Sequence, residues 1–221
     1  AAEGPLVRHL LTCVYQSTCN SSDVTRGAAR GVAEALSAEF FEFDVDPVVQ
    51  QYVSIVARAL GRELGWQTDD VALQNIQARV RSPSIWMLAN LRGALLLSTS
   101  NRSEAAVGYA TMDGDTSGGL SPIAGIDKAY LRTWLQWLEQ QGPHGAGPIP
   151  ALAQVNQQQP TAELRPPSAH QTDEDDLMPY EVLDAIERAA IRDKLVPIEV
   201  FYRLEMTFRR TYGRDELGLW I

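Results

Sequence analysis

Basic residues are scarce in this chain, and so are long apolar runs. Its 19 Lys and Arg face 28 Asp and Glu, which gives a formal net charge of −9. The sequence therefore lacks the basic surface that a nucleic-acid partner usually requires. A nucleotide ligand is still compatible, because backbone amides and a few local cations bind phosphate. No apolar run approaches the roughly 18 residues of a membrane span. The first residues, AAEGPLVRHL, lack the charged segment followed by an apolar segment that a signal peptide has. We expect a cytoplasmic protein without membrane contact.

Cysteine and histidine are also rare. Cys13 and Cys19 have neither metal nor redox spacing, which favours buried thiols in a reducing compartment. His9, His144 and His170 form no recognisable triad, and no Cys–His pair is indicated. Nucleophilic catalysis by a side chain of the protein has no support in the sequence.

What the chain does contain is an alternation of apolar strand and helix patterns. With 221 residues and 45% apolar residues, it is long enough to bury a sizeable core. Strands are predicted at 7–15, 39–45 and 94–98. Helices are predicted from Ser21 or Ser22 to about Leu36, from Asp46, from Asp69 or Asp70 with a break at Pro83, and after Asp127. Repeated strand–helix units predict an α/β fold, a doubly wound parallel sheet with flanking helices.

The apolar run Ala94–Leu97 has no polar residue on either face. Such a run predicts a strand that is buried on both sides. The polar residues 98–101 follow at its carboxyl end, where open α/β sheets bind their ligands. Residues 142–171 are rich in Gly, Pro and Gln and predict a mobile or surface-hugging loop, and the final third is predicted to be helical.

Two local patterns admit both a structural and a functional interpretation. Asn101 and Glu104 have the spacing of a capping box at a helix start, yet Glu104 is also placed to face the predicted crevice. The two roles are compatible. Asn75 and Arg79 lie four residues apart and so share one helical face, which is either a solvated surface or a binding face.

Several short sequence motifs, which follow one another in a fixed order along the chain, resemble those of one protein family. They are NIQAR, STSNRSEAAVGY, a Gly-Asp turn followed by LSPIAGIDK, PTAELRP and QTDEDDLMPYEVLD. Over most of the chain the sequence resembles the synthetase domain of glutamine-dependent NAD synthetases. The resemblance implies a Rossmann-like fold of the adenine-nucleotide α-hydrolase type. It also implies ATP-dependent amidation of deamido-NAD to NAD with Mg²⁺, through an adenylated nicotinate carboxylate. A glutaminase domain would supply ammonia from glutamine, and a homo-oligomer is expected.

The resemblance also assigns roles to individual residues. It implies deamido-NAD contacts for Asn75, Arg79, Glu104, Asp173 and Glu174, ATP contacts for Thr99, Lys128 and Thr161, and Mg²⁺ ligation for Glu104 and Asp115. The acidic run 173–176 has an alternative interpretation, since negative charge at a helix start is favoured by the helix dipole. Lys128 opposes that dipole at the start of its own helix, which favours some compensating use.

One motif of the superfamily is not found in the chain. Its pyrophosphate loop reads Ser-Gly-Gly-x-Asp-Ser, and Ser117-Gly118-Gly119 imitates only the first letters. Position 121 is serine rather than aspartate, and Pro122 lacks an amide for phosphate. We therefore expect residues 1–221 to be a synthetase domain truncated at its start and its end, and inactive alone. The alternatives are a sister ATP pyrophosphatase such as GMP synthetase, or a catalytically silent nucleotide-binding or oligomerisation module.

Overall fold

The structure is a computed structural model, and it describes residues 4–221. The strands are β1 (Thr12–Ser17) and β2 (Glu39–Asp44). The helices up to the middle of the chain are α1 (Gly4–Leu10), α2 (Asp23–Ala35), α3 (Asp46–Leu60), α4 (Trp66–Arg92), α5 (Arg102–Val107) and α6 (Lys128–Gln140). The later helices are α7 (Ala153–Asn156), α8 (Asp173–Asp176), α9 (Tyr180–Glu187), α10 (Pro197–Phe208) and α11 (Arg214–Leu219). A π-helical turn, Arg188–Arg192, extends α9.

The sheet of the described residues consists of β1 and β2, which run parallel. Their register pairs Thr12 with Glu39 and Ser17 with Asp44, so both strands end at the same edge. Helix α2 connects them, as parallel pairing requires a crossover. Ser22 caps α2 by accepting a hydrogen bond from Thr25 N. The cap predicted from the sequence is therefore confirmed.

Helices cover both faces of this sheet. Residues alternate in direction along β2, so Phe40 and Glu42 share one face and Phe41 lies on the other. Arg30 of α2 pairs with Glu42 and lies 6.0 Å from the centre of the Phe40 ring. Arg92 of α4 lies 5.2 Å from the centre of the Phe41 ring. The sheet is therefore wound on both sides, as the sequence predicts.

The prediction of a strand at 7–15 is wrong in its first half. Residues 4–10 form α1, and the strand begins only at Thr12. Thr12 pairs with Glu39, where β2 itself begins. Earlier residues have no strand opposite them and use local helical hydrogen bonds instead, such as Leu11 N to Val7 O.

The prediction of a buried strand at 94–98 is also wrong. Leu97 forms one isolated parallel bridge with Leu120, and no continuous strand follows from it. Leu95 is 63% exposed and Leu97 is 41% exposed. A fully buried strand needs a partner on each side and a layer over each face, and this run has a single bridge on one side.

Helix α4 bends near its start rather than at the predicted position. It runs on through Pro83, while the residue with non-helical backbone angles is Asp69, at φ −124°. The Asp69 carboxylate accepts hydrogen bonds from Gly65 N and from Arg62, which fixes the bend. A proline costs the helix one hydrogen bond, and the buried residues Val80 and Ala89 hold α4 on both sides of it.

The segment 142–171 contains α7 and two short 3-10 turns, Pro150–Leu152 and Pro167–Ala169. Leu152 and Leu164 are buried. The carbonyl of Leu164 accepts hydrogen bonds from the side chains of Asn20 and Gln77, at 3.1 and 2.7 Å. These contacts tie the segment to the end of β1 and to α4.

The C-terminal helices form a core of their own. Its fully buried members are Val182, Ala189, Val200, Leu204 and Leu217, from α9, the π-helical turn, α10 and α11. The prediction of a helical final third is confirmed. Within residues 4–221, every helix is too short or too polar to cross a bilayer.

Candidate nucleotide site

Three residues predicted to bind substrate or ATP converge from α5, α6 and α8. The Lys128 ammonium lies 2.8 Å from Glu104 Oε1 and 3.9 Å from Asp173 Oδ2. It also lies 5.4 Å from the centre of the Tyr180 ring. Glu104 and Lys128 are half-buried, and Asp173 is buried. The cluster joins one cation to two carboxylates at the boundary between core and solvent.

Glu104 performs the predicted capping role and keeps one oxygen for the cluster. Asn101 accepts a hydrogen bond from Glu104 N, and Glu104 Oε2 accepts one from Asn101 N at 3.1 Å. Ser100 Oγ donates to the same oxygen at 3.3 Å. Because Oε2 serves the cap, Oε1 is available to Lys128. The capping box is confirmed, and it positions the carboxylate of the ion pair.

Lys128 is the first residue of α6, where a cation opposes the helix dipole. Glu104 and Asp173 offset that unfavourable field. The side chain is thereby held toward the cluster rather than toward bulk solvent.

Asp173 is the most constrained acid of the cluster. Its Oδ2 accepts a hydrogen bond from the Tyr180 hydroxyl at 2.8 Å, and its Oδ1 is buried without a partner among the described residues. Burial raises the pKa of the Asp173 carboxyl, and the bonds from Tyr180 and the charge of Lys128 oppose the rise. Burial and Asp173 also raise the pKa of Tyr180. An unpartnered oxygen in this position retains the capacity to accept a hydrogen bond from a ligand.

Glu174 turns away from Asp173 toward the next helix. Its Oε1 accepts a hydrogen bond from Tyr180 N at 3.1 Å and lies 3.6 Å from Arg132. Glu174 therefore accepts a hydrogen bond at the start of α9, the helix that follows the acidic run.

Asn75 and Arg79 share the α4 face that contacts the Gly-Asp turn. Thr111 Oγ1 donates to Asn75 Oδ1 at 2.9 Å, and Arg79 Nε donates to Met112 O at 3.1 Å. Asp115 Oδ2 accepts from Thr111 N at 2.9 Å. Gly114 lies so close to α4 that a Cβ there would come within 2.9 Å of the Ala78 carbonyl carbon. The predicted residues on α4 are therefore brought to the turn that carries Asp115.

The two predicted threonines lie on segments that reach the cluster. Thr99 is exposed and is followed by Ser100, the hydrogen-bond donor to Glu104. Thr161 follows Pro160, whose carbonyl accepts a hydrogen bond from Asp173 N at 3.0 Å.

The predicted Mg²⁺ ligands are compatible with a metal that arrives with phosphate. Glu104 and Asp115 each keep part of their carboxylate bound to a backbone amide. In the described part of the chain, no three His, Cys, Asp or Glu side chains gather around one point. Mg²⁺ is usually held by one or two carboxylates together with substrate phosphates rather than by an all-protein cage, so the donor set fits that mode.

Sequence reasoning missed the cavity at the carboxyl ends of β1 and β2. It has a volume of about 320 Å³ and is lined by Tyr15, Ser17, Thr18, Cys19, Ser21, Ser22, Arg26, Asp44 and Asp46. The polar residues after β1 predict only the end of that strand and a cap, at Ser21 or Ser22, for the next helix. Neighbouring parallel strands that both end in polar residues are the signal that would have found it.

The prediction of two buried thiols is wrong for Cys19, which is exposed, while Cys13 is half-buried. Cys19 lies in the turn that walls the cavity, and its amide donates to Asp46 Oδ1 at 3.0 Å. A residue at the edge of a crevice has no packing layer over it.

The fold is that of an open-sheet α/β protein, with a polar cavity at the carboxyl ends of its two parallel strands. Comparison with known families is more specific. The family described as NAD synthase matches residues 8–212, and the chain belongs to that family.

The curated relatives are longer proteins. The glutamine-dependent NAD(+) synthetase of Aquifex aeolicus is 37% identical over 187 residues, which cover 85% of this chain and 31% of that protein. The human glutamine-dependent NAD(+) synthetase is 30% identical over 233 residues, which cover 97% of this chain and 31% of that protein. The chain therefore spans about a third of the length of these relatives.

Solved structures agree with the fold. A glutamine-dependent NAD(+) synthetase from Cytophaga hutchinsonii has a TM-score of 0.80 and 42% identity, covering 98% of this chain and 33% of that one. The NMN synthetase from Francisella tularensis has a TM-score of 0.67 at 20% identity, covering 93% of this chain and 76% of that one, and shows likeness of fold alone. The α/β class predicted from the sequence is confirmed.

Proposed function

We propose that this chain is the part of a glutamine-dependent NAD synthetase that binds ATP and deamido-NAD and amidates the nicotinate carboxylate. Membership of the NAD synthase family supports the reaction class. The observation that carries the proposal is the meeting of Glu104, Lys128 and Asp173, which come from three separate sequence motifs. A family resemblance in sequence would not by itself require those side chains to meet.

The reaction proceeds by two displacements. A carboxylate oxygen of deamido-NAD attacks the α-phosphorus of ATP, and pyrophosphate leaves. Ammonia then attacks the carboxyl carbon of the adenylate, loses a proton, and AMP leaves as NAD forms. Neither step needs a protein nucleophile, so positioning and charge neutralisation supply the catalysis.

The residues of the chain divide this work. Lys128 neutralises phosphate charge, and Thr99 and Thr161 bind ATP. Asn75 and Arg79 hold deamido-NAD through an amide and a guanidinium, groups that suit carboxylate and phosphate. Asp173 and Glu174 lie at the substrate. Glu104 and Asp115 hold Mg²⁺, which supplies additional charge neutralisation at the phosphates when bound with ATP.

The partners follow from the longer relatives. Ammonia is supplied from glutamine by a glutaminase domain, in keeping with the glutamine-dependent names of those relatives. A solved NAD synthetase from Acinetobacter baumannii contains ADP, which supports a nucleotide site in this fold. We also propose a cytoplasmic homo-oligomer that binds no nucleic acid.

A pair of lysine variants tests the site. The chain has two lysines, Lys128 in the cluster and the exposed Lys194 outside it. Calorimetric titration with ATP and with deamido-NAD should show that Lys128→Gln weakens binding by about tenfold, the usual effect of one charged hydrogen bond. Lys194→Gln removes the same charge and should bind as the wild type does.

Equal affinities for the two variants would contradict the assignment of Lys128. Binding of neither nucleotide by the folded wild-type chain would favour the alternative of a catalytically silent module. The folded state of each protein is checked by circular dichroism before titration.

A further inference from the structure

A fully buried carboxylate lies behind the Glu104–Lys128 pair without touching it. Asp184 of α9 is 1% exposed and is absent from the assignments above. Its Oδ2 accepts a hydrogen bond from Ala129 N at 2.9 Å, and its Oδ1 accepts one from the Ser103 hydroxyl. The acid therefore reaches α5 and α6 at the same time.

Ser103 connects Asp184 to the backbone of Lys128. Ser103 is completely buried, and its Oγ accepts a hydrogen bond from Lys128 N at 2.8 Å while the hydroxyl proton is donated to Asp184. The backbone amides of Lys128 and Ala129, the first two residues of α6, therefore donate to Ser103 and Asp184 respectively. We call these hydrogen-bonded groups the buried unit. Ser103 directly precedes Glu104 in α5, and Ala129 directly follows Lys128 in α6.

This unit joins the backbones on either side of the ion pair. Two other contacts join the start of α5 to the start of α6, a backbone hydrogen bond from Arg102 N to Ile126 O at 3.0 Å and the salt bridge of Arg102 with Asp127. Neither of them reaches the backbone of Lys128.

Asp127 caps α6 separately by accepting from Tyr130 N at 2.8 Å. Asp184 accepts from a different amide of this helix start, Ala129 N, and so helps to cap α6 as well. What distinguishes it from Asp127 is the additional bond that it accepts from Ser103 of α5 inside the core.

A charge in this position is costly. Burial raises the pKa of the Asp184 carboxyl, and the hydrogen bonds from Ser103 and Ala129 oppose the rise. No cation lies within ion-pair distance of Asp184 among residues 4–221. A charged group that is costly to bury can fix one arrangement of its neighbours without adding to the stability of the fold.

We infer that Asp184 is a positioning residue that sets the distance between Glu104 and Lys128, by holding Ser103 and Ala129 in one buried hydrogen-bonded unit. The inference rests on the proposed function for its consequence, which is that Asp184 tunes binding of nucleotide phosphate through Lys128. The geometric part of the inference is testable without any nucleotide.

The test is the acylation rate of the two lysines, followed by mass spectrometry of the peptides that contain them. Lys194 is an internal control in every sample, because it is exposed and makes no salt bridge among the described residues. Asp184→Asn keeps an oxygen for Ala129 N but cannot accept the Ser103 proton at its amide nitrogen. We expect Lys128 to react about tenfold faster relative to Lys194, the effect of losing one charged hydrogen bond.

Two further variants separate positioning from general stability. Ser103→Ala removes the connection to Lys128 N and should also raise the Lys128 ratio, and it decides the test if Asp184→Asn does not fold. Glu42→Gln removes a carboxylate that pairs with Arg30, on β2 and α2, outside the site and away from both lysines. It should leave the ratio unchanged even where it lowers the melting temperature.

Nucleotide binding supplies the second measurement. Asp184→Asn should weaken ATP binding in the wild-type background and have no further effect in a Lys128→Gln background. Additive losses in that double-mutant cycle, or an unchanged Lys128 ratio in both Asp184→Asn and Ser103→Ala, would overturn the inference. If the wild type binds no nucleotide, the proposed function fails, while the labelling ratios still decide whether Asp184 positions Lys128.

Discussion

The core of the C-terminal region, residues 178–221, and the 94–97 run of the sheet region, residues 12–97, are buried to very different extents. In the former, Leu204 and Leu217 are 1% and 0% exposed. In the latter, the most apolar run of the chain leaves Leu95 63% exposed. The C-terminal core is built from helices that follow one another along the chain, α9 to α11, whereas the 94–97 run forms a single bridge, from Leu97 to Leu120. Local apolar density therefore does not predict burial.

The largest expected effect sharpens this contrast. Leu204→Ala should lower the free energy of unfolding by about 2–5 kcal/mol, because it opens a cavity in a closed core. Leu97→Ala, a change of the same size at a 41% exposed residue, should cost less than about 1 kcal/mol. Urea denaturation of both variants measures the difference. Equal losses would mean that the 94–97 run is as well buried as the C-terminal core.

The candidate site adjoins the C-terminal core, since α5 and α6 both contact α9. Substitutions at this site should therefore change nucleotide affinity and the stability of the fold independently of each other. Glu104→Gln keeps an oxygen for the cap and removes the charge that pairs with Lys128. Affinity for ATP, measured with Mg²⁺, should fall by about 1.5–3 kcal/mol, the range for hydrogen bonds to charged groups, because Glu104 is a proposed Mg²⁺ ligand. The melting temperature should change little.

The matched control is Asn101→Ala, which removes the other half of the capping box. It should cost about 1 kcal/mol of stability. If Glu104→Gln lowers the melting temperature as much while affinity holds, the capping box is the whole role of Glu104.

On the sheet side of the site, Arg79→Ala should weaken deamido-NAD binding by about 1–3 kcal/mol. Arg79 is exposed, and its Nε bond to Met112 O orients the side chain along the Gly-Asp turn. The control is Arg58→Ala, which removes an exposed arginine of α3 that bonds only the Ser54 carbonyl among the described residues. Calorimetric titration with deamido-NAD compares the affinities of the two variants. Equal affinities would mean that Arg79 is an ordinary surface residue.

Features set by near neighbours in the chain were predictable, and features set by distant ones were not. The caps at Ser22 and Asn101 depend on residues three positions away and are confirmed. A strand at 94–98 would need neighbouring strands to pair with, and the residues of this segment do not show whether such strands exist. The cavity needed Ser17 and Asp44 to be placed at one edge, which only the pairing of β1 with β2 provides. The candidate roles of Asn75 and Arg79 in binding remain predictions.

The smallest expected effect concerns pH, and it opposes the two sides of the molecule. Burial raises the pKa of Asp173, so the folded state binds its proton more tightly than the unfolded state does. Its contribution to stability is therefore greatest below the ordinary value of 3.8 and declines as pH rises through the raised pKa. Asp70 behaves oppositely, because hydrogen bonds from Arg165 lower its pKa. Its contribution is present above 3.8 and is lost as pH falls.

Asparagine variants make this opposition measurable. Relative to the wild type, Asp173→Asn should gain stability as pH rises from 4 toward 7. Asp70→Asn should lose stability relative to the wild type as pH rises toward 3.8 from below, and then stay level from 4 to 7. The loss should be less than about 1 kcal/mol because the Asp70–Arg165 pair is partly exposed. Urea denaturation at several pH values gives both trends. Parallel trends would show that Asp173 is ionised in the folded protein as readily as Asp70, and that the cluster with Lys128 and Glu104 compensates the burial of its charge in full.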